Sequence, residues 1–495
     1  MDSIKMTTEQ QLPKGWKIER LGDVLQIQNG YAFKSIEFIK ENPENIHIPL
    51  IRQSQLVGNI VDVSNCVFLN RKYLIDKQNY IVNKGDILIG MSGSIGKVSF
   101  YEEDYPALLN QRVGKLNLYD NDTFQKDFFA YLLISLESSI IQIAKGMGVQ
   151  NISSKDIEQL KIPIPPLETQ QAIVNKIESL FNEIDEGIGR LKTAAQQIQQ
   201  YRQSLLKNAF NGELTKEWRS KHADALPSEN ELLAQIQTTR EQHHTQQLAD
   251  WQTAVSQWEQ NGKEGKKPSK PKAPTQAVKS EENVTDLPRG WGVVKLENIA
   301  DIGSGMSVSA SRKLENPITV NYLRVGNVQR GYLDLKEIKE MQIEAENFDK
   351  YSLRLGDVLF NEGGDRDKLG RGWIWENQIP NCITQNHVFR ASLFLKLITH
   401  SKYISYLGNS RYGQSYFEKT GKQTTNLASI NKTVLSNFPV KLPSFAEQTQ
   451  IVAILESKLT ACDQLADELA KQLKQAEMLK QAVLKAAFSG GLLDK

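Results

Sequence analysis

Cysteine is scarce in this chain: three among 495 residues, Cys66, Cys382 and Cys462, far apart and never in C-x-x-C spacing. That excludes a disulfide frame or a thiolate zinc site and leaves buried free thiols as the expectation. Long apolar runs are missing too. None is long enough to span a bilayer, and the opening MDSIKMTTEQQLPKGW has no apolar centre for a signal peptide, so a cytoplasmic protein is expected. Nor does charge of one sign dominate: 60 Lys and Arg against 58 Asp and Glu leave a formal +2, which by itself announces no nucleic-acid partner. What remains is ordinary composition, 40% hydrophobic and 24% charged, in a length that suits three or four compact units.

Catalytic and cofactor motifs are equally thin. Gly90-Met-Ser-Gly-Ser-Ile-Gly-Lys97 approaches a phosphate-binding loop, but its first glycine comes one position early and Val98 stands where Ser or Thr is required. Nucleotide binding is rejected. NEGGDRDKLGRGW from Asn361 has Asp365 and Asp367, yet Leu369 and Gly370 fall where a calcium loop needs a further oxygen ligand and a spacer. His243-His244 lacks a third ligand, and nothing resembles a nucleophile with its base.

What is present is periodicity. In residues 168–214, Ile173, Ile177, Leu180, Ile184, Ile188, Leu191, Ala195, Ile198, Tyr201 and Leu205 step by three or four, a heptad seam. A helix of about forty residues spans roughly 60 Å, too long for a compact core to bury every turn, so it needs a partner helix. The C-terminal stretch repeats the pattern through Ile451, Leu455, Leu459, Cys462, Leu469, Leu473, Ala476, Leu479 and Val483. Even the endings match, SLLKNAFNG against AVLKAAFSG. The two seams are expected to pair with each other, a partner protein being the competing occupant. Gly187 and Gly189 cost the first helix about 1 kcal/mol each relative to alanine, which leaves room for a local bend.

The rest of the chain is also written twice. LPKGWKIERLGDVLQIQNG from Leu12 returns as LPRGWGVVKLENIADIGSG from Leu287, about 275 residues on. Ile51-Arg52 answers Leu323-Arg324, NKGDILIG from Asn83 answers RLGDVLFN from Arg354, and NQRV from Asn110 answers QNHV from Gln385. GVQNISS from Gly148 answers QTTNLAS from Gln423, and IPIPPLETQQAIV answers FPVKLPSFAEQTQIV. Ordered matches of this kind mark a duplicated unit of one globular domain and one long helix. Short Val-, Ile-, Phe- and Tyr-rich pieces between Gly and Asn predict strands and exposed loops; residues 124–143 read as helical. The fold class is therefore α+β, two mixed α/β domains at 1–165 and 287–443, with helices at 166–214 and 444–495. Ser444-x-x-Glu447 reads as a capping box opening the second helix.

Residues 215–286 have no second copy. Ser228-x-x-Glu231 is another capping box, and the polar helix it opens carries Leu232, Leu233, Ile236, Leu248, Trp251, Val255 and Trp258. The two tryptophans would either cap the long coiled coil or anchor a partner subunit. The basic, proline-bearing run NGKEGKKPSKPKAPTQAVKSEEN reads as a solvated tether whose lysines stand within reach of phosphates.

Several Gly-rich loops carry side chains suited to base edges. Arg and Lys donate to guanine O6 and N7, and Asn or Gln pairs with adenine. In the first domain these are Tyr31, Lys34, Ser92, Ser94, Lys97, Gln111, Arg112, Lys145, Gln150 and Asn151; in the second, Asn361, Arg366, Lys368, Arg371, Gln385, Asn386, Lys422, Gln423, Thr424 and Asn426. Taken singly, each loop is most simply a turn.

The words LPKGW, NKGDIL, NEGGDRDKLGRG and the IPIPPLETQQAIV run into a helix give the whole chain a resemblance to the specificity subunit of Type I restriction-modification systems. That resemblance implies two target recognition domains on conserved spacer helices packed as an antiparallel coiled coil. It also implies a non-catalytic chain that reads a split, asymmetric site on double-stranded DNA and holds no cofactor. It would dock two modification subunits, which methylate adenine with S-adenosylmethionine, and restriction subunits, which use ATP and Mg to translocate DNA before cutting. The sequence agrees so far as it lacks an N-P-P-Y or D-P-P-Y motif for amino methylation, Asn316-Pro317-Ile318-Thr319 being the nearest miss. The 215–286 insert departs from the plainest plan of the family. The competing reading is a coiled-coil scaffold that binds proteins without DNA specificity.

Overall fold

The computed structural model describes residues 12–41, 46–120, 122–146, 151–274, 276–281, 287–308, 314–364, 368–423 and 428–493, the side chains of residues 146 and 423 excepted. The chain divides into two compact units. One takes the residues up to Thr193 and those from Leu469 onward; the other is Ala194–Glu468. Helices and runs of consecutive strands are mixed in both, in keeping with the α+β expectation.

In the first unit, strand Leu25–Asn29 pairs antiparallel with Val113–Leu118, which pairs with Ile87–Gly90, which in turn pairs with Val98–Phe100. Ile87, Leu88 and Ile89 are all buried, so this central strand is covered on both faces and reads as a continuous apolar run. A second sheet sets Ile48–Ile51 parallel to Ala107–Leu109. A short ribbon, Lys17–Arg20 against Lys161–Ile164, ties the opening of the domain to its exit, where Pro165-Pro166 ends the strand. The single helix expected over 124–143 is two, Lys126–Ser135 and Glu137–Gly146, bent by 55° at Leu136. The bend lets Phe128, Phe129, Leu132 and Leu133 share one core with Ile140 and Ala144. No single helix among the described residues is long and apolar enough to cross a membrane.

The second unit repeats this plan. Ala300–Ser304, Val388–Leu393 and Val358–Asn361 form the antiparallel sheet, Pro317–Leu323 lies parallel to Cys382–Thr384, and Gly292–Lys295 pairs with Pro439–Leu442. The repeated Gly-Asp words prove to be turn locks: the Asn83 N–H donates to Asp86 Oδ2 at 2.9 Å, and the Arg354 N–H to Asp357 Oδ2 at 2.8 Å. Each lock sets the strand that follows it.

Two 44-residue helices, Leu167–Phe210 and Phe445–Phe488, each begin in one unit and end in the other, the first continuous through Gly187 and Gly189. Within the first unit Ile173, Val174, Ile177 and Phe181 share a core with Val483, Leu484, Ala487 and Phe488, and Lys480 Nζ lies 2.5 Å from Asp185 Oδ1. Within the second, Leu205, Ala209 and Phe210 share a core with Ile451, Val452 and Leu455, and Arg202 pairs with Asp463. In both, the start of one helix meets the end of the other, so the pairing is antiparallel. The seam differs from the expected one at two places: Tyr201 and Leu479 are exposed, and the neighbouring Arg202 and Lys480 lie against the partner helix instead. Their aliphatic stems cover the seam while their charged heads reach an aspartate at its edge. The helix ends sit on equivalent prolines. A Cβ on Gly490 would come 2.2 Å from Pro13 Cγ, and one on Gly212 would come 2.1 Å from Pro288 Cγ.

The insert belongs wholly to the second unit. The Ser228 box opens helix Glu229–Gln260, with Leu232, Leu233 and Ile236 packed on the domain core. Residues 262–274 and 276–281 then fold back along this helix as a strap. Trp258 Nε1 donates to Gly265 O at 3.3 Å, Trp251 Nε1 to Pro268 O at 3.1 Å, and Arg240 Nη1 to Gln276 O at 2.6 Å. Lys267 and Lys270 lie over the two indoles. Both tryptophans are therefore half-buried against their own linker instead of capping the coiled coil, and the run expected as a solvated tether folds back on the helix with its lysines still exposed. The Ser444 box is only half made. Ser444 Oγ accepts the Glu447 N–H at 3.2 Å, but the Glu447 carboxylate takes Thr215 Oγ1 at 2.7 Å, Trp291 Nε1 at 3.0 Å and the Arg219 guanidinium.

Candidate nucleic-acid interface

Of the residues singled out in the first domain, Tyr31, Ser92, Gln111, Arg112 and Asn151 lie on segments that the main chain brings together. Strand Leu25–Asn29 runs into a loop that crosses directly over the end of the parallel pair: the Tyr31 N–H donates to Leu109 O at 2.9 Å, and Gln111 N–H returns to Tyr31 O at 3.0 Å. The crossing is so close that a Cβ on Gly30 would lie 2.3 Å from Asn110 O, which only glycine avoids. On the other side the Met91 N–H donates to Arg112 O at 3.1 Å, and Ile152 N–H to Met91 O at 2.9 Å, while Ser92 bridges Asn151. Four segments, around residues 31, 91, 111 and 151, are thus laced into one edge at the strand ends.

The second unit laces the same four. Met306 N–H donates to Thr384 O at 2.8 Å, Asn386 N–H to Met306 O at 3.0 Å, Glu362 N–H to His387 O at 2.9 Å and Ile430 N–H to Glu362 O at 2.7 Å. Gly305 repeats the role of Gly30, a Cβ there falling 2.2 Å from Gln385 O. Gly363–Gly364 pairs with Ala428–Ser429, and Lys422–Gln423 pairs with the same strand, which brings Lys422 to this edge.

Within this frame the individual side chains behave differently. Gln111, Arg112, Asn151, Lys97 and Lys422 are exposed, and Gln385 and Asn386 half-buried. Tyr31 is half-buried beneath Lys77, whose Nζ stands 4.0 Å from the ring centroid. Ser92 is buried, and Ser94 Oγ donates to Gln53 O at 3.1 Å, so both serve the loop's own shape. Lys34 and Lys145 are exposed on neighbouring elements, the turn Ser35–Glu37 and the helix Glu137–Gly146. Lys368 is half-buried. Asn361 is fully buried and its Nδ2 donates to Val328 O at 2.8 Å and Val325 O at 3.2 Å, while Arg371 Nη2 donates to the same Val325 carbonyl at 3.3 Å. Those two hold segment 325–328 in place, and the enclosed amide of Asn361 does not face a ligand. Gln150, Arg366, Thr424 and Asn426, and the side chain of Gln423, lie outside the described residues.

Three groups at this edge were not singled out from the sequence: Lys77, Glu362 and His387. His387 Nδ1 lies 2.7 Å from Glu362 Oε2, and its Nε2 lies 3.3 Å from Asn386 Nδ2. The duplication held a signal for His387, since it occupies the position of Arg112 in the matched NQRV and QNHV words. Among the described residues no group of three or more His, Cys, Asp or Glu is placed to hold a metal ion. Burial pushes the Asp357 carboxyl above its ordinary range, against the hydrogen bond from Ser392, but this group is the turn lock beneath the sheet. Burial likewise raises the Cys66 thiol and pushes that of Cys382 to about 12, which makes them inert.

A family model described as the Type I restriction modification DNA specificity domain matches residues 13–192 and again residues 288–475. The chain belongs to this family. As a Type I specificity subunit it is similar over nearly its whole length to the EcoBI specificity subunit of Escherichia coli, 25% identical over 478 residues, covering 96% of this chain and 86% of that one. It is also similar to the EcoKI specificity subunit of Escherichia coli (strain K12), 22% identical over 492 residues, covering 97% and 90%. Its fold matches a solved chain from work described as "Structural basis underlying complex assembly and conformational transition of the type I R-M system", with TM-score 0.61 and 17% identity over 97% of this chain and 99% of that one. The two family matches coincide with the two copies read from the sequence.

Proposed function

We propose that this specificity subunit reads a split, asymmetric target on double-stranded DNA, one half through each laced edge. It would do so while docked to two modification subunits and to restriction subunits that carry the S-adenosylmethionine, ATP and Mg chemistry. The observation that supports this most is a shared frame with unshared side chains. Both edges are built by equivalent main-chain hydrogen bonds, yet Met91, Gln111 and Arg112 in one stand where Glu362, Asn386 and His387 stand in the other. A common frame gives both the same approach to a groove, and different donors and acceptors give different bases. The chain itself would be non-catalytic. Its small net charge, +2, is in keeping with specific binding that needs the whole assembly.

The test is selection of random-sequence duplexes by the assembled complex, read by protection or by methylation. Two short, unlike blocks of preference separated by a neutral spacer are expected. Two like blocks in inverted orientation would refute the asymmetric reading, a single block would refute the split one, and no sequence preference at all would favour the protein scaffold. The helices would set the spacer, so adding a full heptad to both should change its length in an active complex; an unchanged spacer would end the ruler idea.

A further inference from the structure

The second edge contains an arrangement its counterpart lacks. Glu362, His387 and Asn386 form a chain of hydrogen bonds: carboxylate to Nδ1 at 2.7 Å, then Nε2 to the Asn386 amide nitrogen at 3.3 Å. The carboxylate accepts, so the Nδ1 side of the ring carries its hydrogen, and Nε2 of the neutral ring is left as an acceptor for the amide N–H. The backbone beneath is pinned as well, with Gln385 N–H on Leu323 O at 2.9 Å, Asn386 N–H on Met306 O at 3.0 Å and Val388 N–H on Gln385 O at 2.9 Å. The His387 side chain is 55% exposed, so the trio stands at the surface of the edge.

We infer that Asn386 reads an adenine for the second unit, and that His387 and Glu362 are positioning residues that fix its amide for that purpose. The donor count supports this. One amide N–H of Asn386 is spent on His387 Nε2; the second N–H and Oδ1 remain, which is the pair that adenine N7 and N6–H require. An asparagine held at one end cannot spin its amide to offer the opposite pattern, so guanine, with O6 in place of N6–H, sets acceptor against acceptor. The first unit has no such device: Met91 replaces Glu362 and is buried, leaving exposed Gln111 and Arg112 without a carboxylate at the matching place. This inference rests on the DNA-reading role proposed above.

The test uses the full chain assembled with its modification subunits, first to select the wild-type target, then to compare each single-base substitution across both halves. Asn386→Ala is expected to lose about tenfold to a hundredfold of discrimination at one A·T pair of one half, the other half being unchanged. Glu362→Met, which installs the residue the first unit already uses, and His387→Phe should blunt discrimination at that same pair. His387→Gln, which keeps a donor toward Glu362 and an acceptor toward Asn386, should restore most of it. Equal weakening at every position of the half, or Glu362→Met and His387→Phe reading that pair as sharply as wild type, would overturn the assignment. The unaltered half reports that the variant has folded. A wild-type complex that selects no sequence would overturn the recognition role itself and this inference with it.

Discussion

Gly305 shows how little room single residues have at the laced edges. A methyl group there would meet the Gln385 carbonyl at 2.2 Å, and backbone cannot yield as a flexible side chain does. Gly305→Ala should therefore lower the stability of the second unit by about 1–3 kcal/mol and blur one half of the target while sparing the other. Differential scanning calorimetry with duplex selection would show it; a variant with wild-type melting and selection would mean the loop moves freely. His400 gives a pH signature. It is buried with Nδ1 against Gln448 Oε1, and burial holds its pKa below the ordinary value. The unfolded chain takes up a proton below about pH 6.5 while the folded ring stays neutral, so this contribution is constant above that pH, falls as pH drops from there toward the depressed pKa, and levels off below it. The limiting slope is about 1.4 kcal/mol per pH unit, and His400→Gln should remove that slope from melting curves between pH 7.5 and 5.5. Equal pH dependence in both proteins would show that the imidazole does not titrate on unfolding. At this scale sequence was a partial guide. It marks Asn361 as a base-reading type, but type carries no information on burial, and the amide is spent on Val325 and Val328.

Among the elements, periodicity exposed the long helices because nothing else steps by three and four for so many turns. It misplaced the seam where hydrophobicity and geometry part company: Tyr201 and Leu479 look apolar, yet Arg202 and Lys480 occupy the contact line. Leu479→Glu should accordingly leave the melting temperature nearly unchanged, whereas Val483→Glu, with Val483 8% exposed in the core of the first unit, should unfold that unit's end of the pair. A large loss from the first substitution or none from the second would reverse the seam. The strap was hidden for a different reason. Proline and lysine spell an extended chain whether or not it is docked, and what docks it is the indole N–H of Trp251 and Trp258 finding carbonyls many residues away. Replacing both tryptophans with alanine should make the chain cleave much faster after Lys263, Lys266 and Lys272, the lysines of the strap not followed by proline, in limited trypsin digestion. Unchanged cleavage would return the segment to the status of a free tether.

For the molecule as a whole, duplication was the most legible property, because ordered words survive where individual contacts do not. Its sharpest consequence concerns a chain cut after residue 281. Ile173, Val174, Ile177 and Phe181 would lose Val483, Leu484, Ala487 and Phe488, each worth about 1.5–3 kcal/mol of burial if large. The matched helix ending, with Leu205, Leu206, Ala209 and Phe210 at the corresponding positions, offers a substitute from a second copy, and that copy's Arg202 would meet Asp185 as Lys480 does. The fragment should form a two-fold dimer by light scattering and, with modification subunits, direct methylation to a palindrome of the first half-site. A stable monomer, or a dimer that still prefers an asymmetric site, would contradict the helix pairing. The lacing of the two edges has a different kind of consequence. Because main-chain bonds at Tyr31, Met91, Met306 and Glu362 hold those loops, their outward side chains carry little of the burden of folding. If these edges read the two halves of a target as proposed, selection can revise the address a lineage recognises by a few substitutions at positions such as 111, 112, 386 and 387, one half at a time, without first rescuing a protein that no longer folds.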